Sequence, residues 1–347
     1  MTQEIDIRVS GRAGRITLNR PEALNALSWD MCRRIDQALI DWAEDDAVAL
    51  VLIDAAGDRA FCAGGDIGEM YRTGKAGDFG YGRRFWADEY RMNARIAEYR
   101  KPIVTFLHGF TMGGGVGVGC HARHRIVGET SRIAMPECGI GLVPDVGGSL
   151  ILARAPGRLG EYLGLTATRL GPGDAVHTGF ADHVVPEADW AALKDDLCAR
   201  ADLAAIAAAE TEADIGPVMA GQAEISELFD APDLATIHQR LTAAGSPLAE
   251  YALKAMGRNS PLSMAAALLL IRRVRAQPTI RQALSLEYRY TWRAMEHGDF
   301  IEGIRAAIID KDRAPDWRLG LGEVTIDDAA FMLSPLGADE LDWKDMQ

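Results

Sequence analysis

The 347-residue sequence predicts an α/β fold of layered strands and helices, followed by a helical C-terminal region. Two short apolar runs, Val48–Ile53 and Pro102–Leu107, have the length and composition of buried β-strands. Each run is followed by a glycine-rich loop, Ala63–Gly68 after the first and Gly113–Gly119 after the second. Apolar residues at helical spacing lie between the strands, and this alternation is typical of a layered α/β domain.

The N-terminal segment predicts a β-hairpin at the edge of a sheet and then a helix. Apolar and polar residues alternate over residues 5–9 and again over residues 15–18, with a turn at Gly11–Gly14 between them. Ser28 is a suitable N-cap for the helix that follows, because its hydroxyl can accept a hydrogen bond from an unpaired backbone N–H. The apolar residues of that helix recur at helical spacing and are Met31, Ile35, Leu39 and Trp42.

The middle of the chain predicts one long helical stretch and one loop. Tyr71–Tyr99 is charged and aromatic and is expected to be mostly helical. Arg132–Met135 is expected to be extended, and Pro136–Gly148 is expected to be a loop. We expect the chain to return to helix from Leu150 onward.

The composition changes after about Pro186, where Ala, Leu, Glu and Asp dominate. We therefore predict two parts, a core of residues 1–190 and a helical C-terminal region of residues 191–347 packed on it. Residues 191–244 carry no motif that indicates a function.

The bulk properties disfavour several classes of protein. A formal net charge of −13 disfavours a nucleic-acid binder, which needs a basic face to neutralise phosphates. The five cysteines form no C-x-x-C pair, so we predict neither a metal site nor a disulfide framework. The longest apolar run, Met264–Ile271, is too short to span a membrane. The acidic, alternating start at residues 1–6 is unlike a signal or transit peptide, so we predict a cytoplasmic location.

The two glycine loops are the first indication of chemistry. The spacing in Gly113–Gly119 does not follow the dinucleotide-binding pattern G-x-G-x-x-G with a later acidic residue. One interpretation is close packing of a helix start against a strand. The other is that the backbone is bare because a ligand approaches it. Two such loops in one chain favour the second interpretation, since converging N–H groups stabilise an oxyanion.

Several motifs around these loops resemble the crotonase (enoyl-CoA hydratase/isomerase) superfamily. They are Phe61–Ile67, Asn19-Arg20-Pro21 with Ala23–Leu27, and His108-Gly109 leading into the second glycine loop. The resemblance implies a spiral fold of layered ββα units that binds an acyl-coenzyme A thioester. Coenzyme A is then part of the substrate, and no separate cofactor is expected. It also implies a homo-oligomer, a trimer or smaller.

The resemblance assigns roles to individual residues of the two loops. Gly65 and Gly114 would each supply one N–H to the oxyanion of the thioester carbonyl. Ala63, Asp66 and Ile67 would border the adenine and pantetheine parts of coenzyme A, largely through backbone atoms.

The carboxylates decide which reaction of the superfamily is expected. Hydratases of the superfamily use two glutamates, but the place of the first is filled by Gly117. Adding water across a double bond with one acid/base group missing is chemically doubtful. Glu137 fills the second place, and Asp145 adds a carboxylate where a hydratase has a small residue. Two carboxylates close together should repel, which raises the pKa of one of them.

Four segments resemble the 3-hydroxyisobutyryl-CoA hydrolase subfamily and extend the match over nearly the whole chain. They are residues 135–148, the E-Y-x-x-N segment that begins at Glu89, Ser260–Ser263, and Asp299–Asp312. The resemblance implies hydrolysis of a 3-hydroxyacyl-CoA thioester in valine breakdown. Glu137 would attack the carbonyl or activate a water, and Asp145 would meet the substrate 3-hydroxyl or the water. Glu89 would hydrogen-bond the substrate or a catalytic carboxylate.

Other interpretations stay open at the level of sequence. Glu137 could be a surface or capping residue, Asp145 could cap the next helix, and Glu89 could be a solvated or ion-paired side chain. The chain could be an enoyl-CoA hydratase or isomerase with another arrangement of acids. It could also be a catalytically inactive coenzyme A-binding or scaffold protein with this fold.

Overall fold

The computed structural model describes residues 3–346. Met1 and Thr2 lie outside the described residues; they belong to residues 1–6, from which the cytoplasmic location was predicted. Gln347, the last residue of the predicted C-terminal region, also lies outside them. The described residues group into two compact units. The first unit comprises the residues up to Gly65, Arg91–Ala134 and Arg169–Met219, and the second comprises Asp66–Tyr90, Met135–Thr168 and the residues from Ala220 onward.

The strands all lie in the first unit and form two sheets. Their bounds are β1 Ile5–Ser10, β2 Ala13–Leu18, β3 Leu50–Ala55, β4 Ala60–Cys62, β5 Ile103–Phe106, β6 Phe110–Met112, β7 His124–Val127, β8 Arg132–Ala134 and β9 His183–Val184. Within residues 3–346, one sheet has the order β1-β2-β3-β5-β7-β9 and the other the order β4-β6-β8. The pairing of β1 with β2 is antiparallel, and the remaining pairs are parallel.

The helices make up most of the remaining regular structure. Their bounds are α1 Trp29–Ala43, α2 Gly68–Lys75, α3 Gly80–Glu98, α4 Gly114–Gly119, α5 Gly148–Arg154, α6 Leu159–Thr166, α7 Pro172–His177, α8 Trp190–Arg200, α9 Ala204–Ala209, α10 Pro217–Ala220, α11 Gln222–Phe229, α12 Leu234–Ala244, α13 Pro247–Met256, α14 Pro261–Ala276, α15 Ile280–Ala294, α16 Phe300–Ile304 and α17 Ile326–Met332. Short 3₁₀ turns occur at Pro21–Ala23, Glu137–Ile140, Glu187–Asp189, Gly337–Asp339 and Lys344–Met346, and a π-helical turn at Arg305–Ile309. The predicted α/β class is confirmed.

Parallel strands and the helix α8 build the core of the first unit. Leu50 and Leu52 of β3 and Phe106 of β5 belong to the same buried cluster as Trp190, whose ring meets that of Phe106 edge to face at 5.3 Å between centroids. The near-continuous apolar runs of β3 and β5 follow from this burial, because parallel strands are covered on both faces.

Helix α14 is the centre of the second unit. It packs against α5, α6 and α17, and it is buried along most of its length. Ser260 caps its N-terminus by accepting a hydrogen bond from the N–H of Ser263 at 3.1 Å. A helix that is apolar on nearly all sides is stable only inside a packed bundle.

Most of the elements predicted from the sequence are present. The edge hairpin is confirmed as β1 and β2, and Ser28 caps α1 by accepting from the N–H of Met31 at 3.2 Å. The stretch Tyr71–Tyr99 is helical, and the structure divides it between α2 and α3. The predicted return to helix occurs at Gly148, two residues before Leu150.

The second glycine loop is different from the prediction, because Gly114–Gly119 forms the buried helix α4. Glycine is a poor helix former, which is why the sequence indicated a loop. Close packing overrides that preference: a Cβ atom on Gly115 would lie 2.2 Å from the carbonyl oxygen of Cys62. Only a helix without side chains at that position fits so close to β4.

The predicted boundary near residue 190, and the packing of the later residues on a core, stay predictions. The two compact units alternate along the chain, and each draws on three segments of it.

Candidate active site

Two adjacent loops of the first unit present backbone N–H groups. Strands β4 and β6 are parallel neighbours, so the loops that follow them leave the same edge of the sheet. Gly64 has φ +124° and Gly113 has φ +49°, values that strongly favour glycine. Each of these glycines directly precedes one of the two predicted oxyanion residues, Gly65 and Gly114.

The N–H groups of Gly65 and Gly114 have no hydrogen-bond acceptor within residues 3–346. Backbone donors away from helix and strand ladders are nearly always paired with protein or water. Two unpaired donors on neighbouring loops are therefore a suitable arrangement for binding an oxyanion. Their assignment to that role stays a prediction.

The residues predicted to border coenzyme A lie close to Gly65 in the sequence. The N–H of Ala63, in the first unit, donates to the carbonyl of Leu24 at 3.0 Å. In the second unit, Asp66 and Ile67 directly precede α2, and the Ile67 carbonyl accepts the N–H of Tyr71 at 3.0 Å. Coenzyme A contacts of Ala63, Asp66 and Ile67 stay predictions.

A group of buried carboxylates lies in the second unit. Glu89 on α3 is 2% exposed, Glu137 in its 3₁₀ turn is 4% exposed, and Asp145 in the loop before α5 is 4% exposed. None of the ion pairs formed within residues 3–346 involves these three side chains. The interpretations of Glu137 as a surface residue and Glu89 as a solvated one are therefore excluded.

Two of the carboxylate oxygens are left without partners. Oε2 of Glu137 and Oε1 of Glu89 are buried and accept no hydrogen bond in the described part of the chain. Unsatisfied buried polar atoms are rare and costly, and in native proteins they occur at sites kept for a ligand, a water or a reaction. The Glu137 oxygen is thus available to act as a nucleophile or a base.

Burial and mutual repulsion raise the pKa values of this group. Burial raises the pKa of Glu137 well above its usual range, and the charge of Asp145 raises it further. The pKa of Glu89 is raised by the same two causes. Burial raises the pKa of Asp145 to about 7, while the hydrogen bond from Tyr90 opposes that shift. Asp145 acts on both glutamates, so the structure brings the three predicted carboxylates together electrostatically.

The sequence analysis missed three residues of this group: Tyr90, Ser149 and Glu287. The hydroxyl of Tyr90 donates to Oδ2 of Asp145 at 2.8 Å. The carboxylate of Glu287 accepts the N–H of Ser149 at 3.2 Å and also the Ser149 hydroxyl. Tyr90 is part of the E-Y-x-x-N segment and could have been found there. Glu287 lies among buried apolar neighbours on α15, and only the periodicity of that helix indicates that it faces inward.

The position of the first hydratase glutamate is filled by Gly117. It is buried inside α4 and carries no side chain that could move a proton. Hydration of a double bond needs a group to activate water and a group to protonate carbon. The described residues place no carboxylate at this position.

One known family covers most of the chain. The model of the enoyl-CoA hydratase/isomerase family matches residues 13–331. The chain belongs to this family, the crotonase superfamily. The predicted crotonase fold is confirmed by solved structures as well. The structure named as an enoyl-CoA hydratase from Rhodobacter sphaeroides 2.4.1 has a TM-score of 0.94 and 56% identity, and the match covers 98% of this chain and 100% of that one.

Further members of this family that match the chain carry different names. A Mycobacterium thermoresistibile structure named as a carnitinyl-CoA dehydratase has a TM-score of 0.94 and 38% identity, and the match covers 99% of each chain. A rat protein named 3-hydroxyisobutyryl-CoA hydrolase, mitochondrial, is 38% identical over 98% of this chain and 91% of its own length. The human protein of the same name is 36% identical over 98% of this chain and 90% of its own length.

The predicted cytoplasmic location is wrong, because the hydrolase relatives that match are named as mitochondrial proteins. The prediction rested on residues 1–6, and residues 5 and 6 of that segment belong to strand β1. Their acidic alternation is the pattern of a sheet edge, so it carries information about the fold and none about the compartment. Among residues 3–346, no helix is both long enough and apolar enough to cross a membrane.

Proposed function

We propose that this crotonase hydrolyses 3-hydroxyacyl-CoA thioesters, with 3-hydroxyisobutyryl-CoA as its main substrate in valine breakdown. The observation that carries the proposal is the pair of buried carboxylates, Glu137 and Asp145, combined with the absence of a carboxylate at Gly117. Relatives that match nearly the whole chain are named for this activity, which supports the same reaction.

Glu137 is the proposed reactive group, and two routes are chemically balanced. In the first, its carboxylate attacks the thioester carbonyl carbon, the C–S bond breaks, and the coenzyme A thiolate leaves and takes up a proton. Water then cleaves the mixed anhydride, which releases the 3-hydroxy acid and restores the carboxylate. In the second, Glu137 removes a proton from a water as that water adds to the carbonyl, and the tetrahedral intermediate then expels the thiolate, which takes up the proton from Glu137.

The other predicted residues have supporting roles in this proposal. The N–H groups of Gly65 and Gly114 stabilise the negative charge that develops on the carbonyl oxygen in either route. Asp145 accepts a hydrogen bond from the substrate 3-hydroxyl or assists the water, and Glu89 hydrogen-bonds the substrate or a catalytic carboxylate. Tyr90 donates to one oxygen of Asp145 and leaves the other oxygen for these contacts.

Enoyl-CoA hydration is the alternative reaction, and the name of the Rhodobacter sphaeroides structure favours it. The structure of this chain argues against it at one residue. With Gly117 in place of the first glutamate, one of the two proton transfers of a hydration has no side chain to perform it. Hydrolysis needs no proton transfer to carbon, so a single reactive carboxylate is sufficient.

A thiol-release assay tests the proposal. Purified protein is incubated with a panel of 3-hydroxyisobutyryl-, 3-hydroxypropionyl-, 3-hydroxybutyryl- and crotonyl-CoA, and free thiol is measured beside the absorbance of the enoyl group. We expect thiol release with the 3-hydroxy substrates, fastest with 3-hydroxyisobutyryl-CoA. Loss of the crotonyl absorbance without thiol release would instead support the hydratase. Tight coenzyme A binding with no turnover would support an inactive binding or scaffold protein.

The remaining partners are proposals as well. We expect an acyl-CoA substrate and no separate cofactor, metal or nucleic acid. We also expect a homo-oligomer no larger than a trimer. Light scattering of the 37.6 kDa chain in solution measures that state directly.

A further inference from the structure

Glu287 on α15 is a fully buried carboxylate that the proposed reaction does not use. Its Oε2 accepts the N–H of Gly147 at 2.8 Å, and its Oε1 accepts the N–H of Ser149 at 3.2 Å. The hydroxyl of Ser149 makes a further, short hydrogen bond to Oε1. Within residues 3–346 no cation pairs with this side chain. An unpaired carboxylate is expensive to bury, so its retention calls for a specific role.

The hydrogen bonds of Glu287 hold a strained turn. Val146 has φ +52° and Gly147 has φ +80°, and the left-handed region is unfavourable for a β-branched residue such as valine. The N–H of Gly148 donates to the Asp145 carbonyl at 2.7 Å and closes the turn. Gly147, the N-cap of α5, has no side chain that could cap the helix. Glu287, on α15, therefore accepts the N–H groups at the start of α5 that an N-cap side chain would ordinarily accept.

Asp145 is the first residue of this turn and is fixed from two sides. Its backbone is set by the turn that Glu287 holds, and its Oδ2 is held by the hydroxyl of Tyr90 at 2.8 Å. Glu287 makes no hydrogen bond to Asp145 itself, so it can act on Asp145 only through the turn or through its charge. The charged groups that face it are the carboxyls of Asp145 and Glu137.

We propose that Glu287 is a positioning residue that locks the Asp145–Ser149 turn and thereby fixes the Asp145 carboxylate for catalysis. This inference rests on the proposed hydrolase function for its catalytic consequence. Its geometric content, the dependence of the Asp145 position on Glu287, does not depend on which reaction the protein performs.

A double-mutant cycle tests the proposal. Glu287→Gln keeps the shape of the side chain but replaces one of the two carboxylate oxygens by an NH₂ group. This group cannot accept a hydrogen bond, so one of the two backbone N–H groups, of Gly147 or of Ser149, loses its acceptor. We expect kcat for 3-hydroxyisobutyryl-CoA to fall at least about tenfold, with KM within about twofold of wild type, since the group acts on the reacting carboxylates rather than on coenzyme A binding. In an Asp145→Asn background the same change should alter kcat less than about twofold, because the target of the positioning is gone.

Two further variants keep the cycle decisive. Ser149→Ala removes the hydroxyl hydrogen bond to Glu287 but keeps both backbone hydrogen bonds. It should lower kcat a few-fold in the wild-type background and have almost no effect on kcat in the Asp145→Asn background. It replaces Glu287→Gln in the cycle if that variant does not fold. Ser285→Ala is the control: Ser285 lies on the same helix as Glu287 and accepts a hydrogen bond from the indole N–H of Trp343. Loss of that hydrogen bond should leave kcat unchanged. Independent, multiplying effects of the Glu287 and Asp145 substitutions would overturn the proposal.

Crystal structures of wild type and Glu287→Gln test the geometric content without any turnover. We expect the distance between the Tyr90 hydroxyl and Oδ2 of Asp145 to lengthen from 2.8 Å to beyond about 3.5 Å, the limit of a hydrogen bond. An unchanged turn and an unchanged distance would refute the positioning role. Failure of wild-type protein to release thiol would refute the proposed function instead, and the two failures are distinguishable.

Discussion

Glu137 has one carboxylate oxygen that is buried and unpaired, an arrangement that costs free energy in the resting protein. The surrounding groups increase that cost, since Asp145 and burial both favour its protonated form. A substrate carbonyl or a water that enters the site would offer this oxygen a partner. The strain of the resting carboxylate is thus consistent with a group that reacts.

Replacement of Glu137 by glutamine should separate activity from stability. Glutamine keeps the shape but is neither a nucleophile nor a base, so we expect kcat to fall about 10²- to 10⁴-fold. The unfolding temperature should not fall, because glutamine fills the same space and removes a carboxyl group whose charged form burial disfavours. Thiol release and thermal unfolding of the same preparation measure both quantities. Wild-type turnover by this variant would remove Glu137 from the mechanism.

Asp145 should make stability depend on pH. Burial raises its pKa in the folded protein to about 7 from the ordinary value of 3.8. Between these values the folded state holds a proton that the unfolded chain has released, so the stability contributed by this group is lost as pH rises through that window. Asparagine does not titrate. The stability of Asp145→Asn relative to wild type should therefore increase from about pH 4 to pH 7 and stay constant above.

Urea unfolding at a series of pH values measures this difference. Asp46→Asn is the matched control for the exchange of an aspartate for an asparagine, because Asp46 is exposed. A flat difference for Asp145→Asn would show that its carboxyl is not held protonated.

At the scale of elements, the glycines of α4 allow the backbone of this helix to lie very close to strand β4. Gly115 on α4 lies so close to β4 that a methyl group would reach within 2.2 Å of the Cys62 carbonyl oxygen. The adjacent Gly114 supplies one of the unpaired N–H groups. Packing of α4 and presentation of that N–H are therefore linked through one short segment.

Gly115→Ala should destabilise the protein by about 1–3 kcal/mol, the usual cost of overpacking a buried site against backbone that cannot move aside. We also expect kcat to fall, since the shift displaces the N–H of Gly114. Gly171→Ala is the control: its φ is −77°, nothing lies within 4 Å of the added methyl group, and its stability should stay close to wild type. Denaturant unfolding compares the two variants, and equal stabilities would contradict the packing argument.

The elements that the sequence predicts well are those with local causes. The hairpin follows from alternation, and the start of α1 follows from the Ser28 cap. Helix α4 was missed because the low helix propensity of glycine is a local signal, whereas its packing on Cys62 is a tertiary one. Motif resemblance found Glu137, Asp145 and Glu89, but it could not show that they are buried together.

The hydrogen-bond partners of Glu287 could not be predicted from the sequence. It lies 140 residues from Gly147, its hydrogen-bond partner, and no motif connects them. The periodicity of α15 places it on the face that carries Ala283 and Leu284, which indicates a buried acid. The residues that such an acid meets are known only once the chain is folded.

At the scale of the whole molecule, the same fold is shared by proteins that are named for different activities. Structures named as a hydratase and a dehydratase superpose on this chain equally well, with TM-scores of 0.94, while sequence relatives are named as hydrolases. Fold alone therefore does not choose the reaction. In our proposal the choice depends on a few residues, above all on Gly117, Glu137 and Asp145.

The most direct measurement compares the two reactions in one preparation of wild-type protein. Thiol release from 3-hydroxyisobutyryl-CoA and hydration of crotonyl-CoA are followed at matched concentrations to give kcat/KM for each. We expect hydrolysis to exceed hydration by about 100-fold or more, a difference of about 3 kcal/mol in transition-state stabilisation. Hydration that equals or exceeds hydrolysis would contradict the assignment of Glu137 and Asp145 to thioester cleavage.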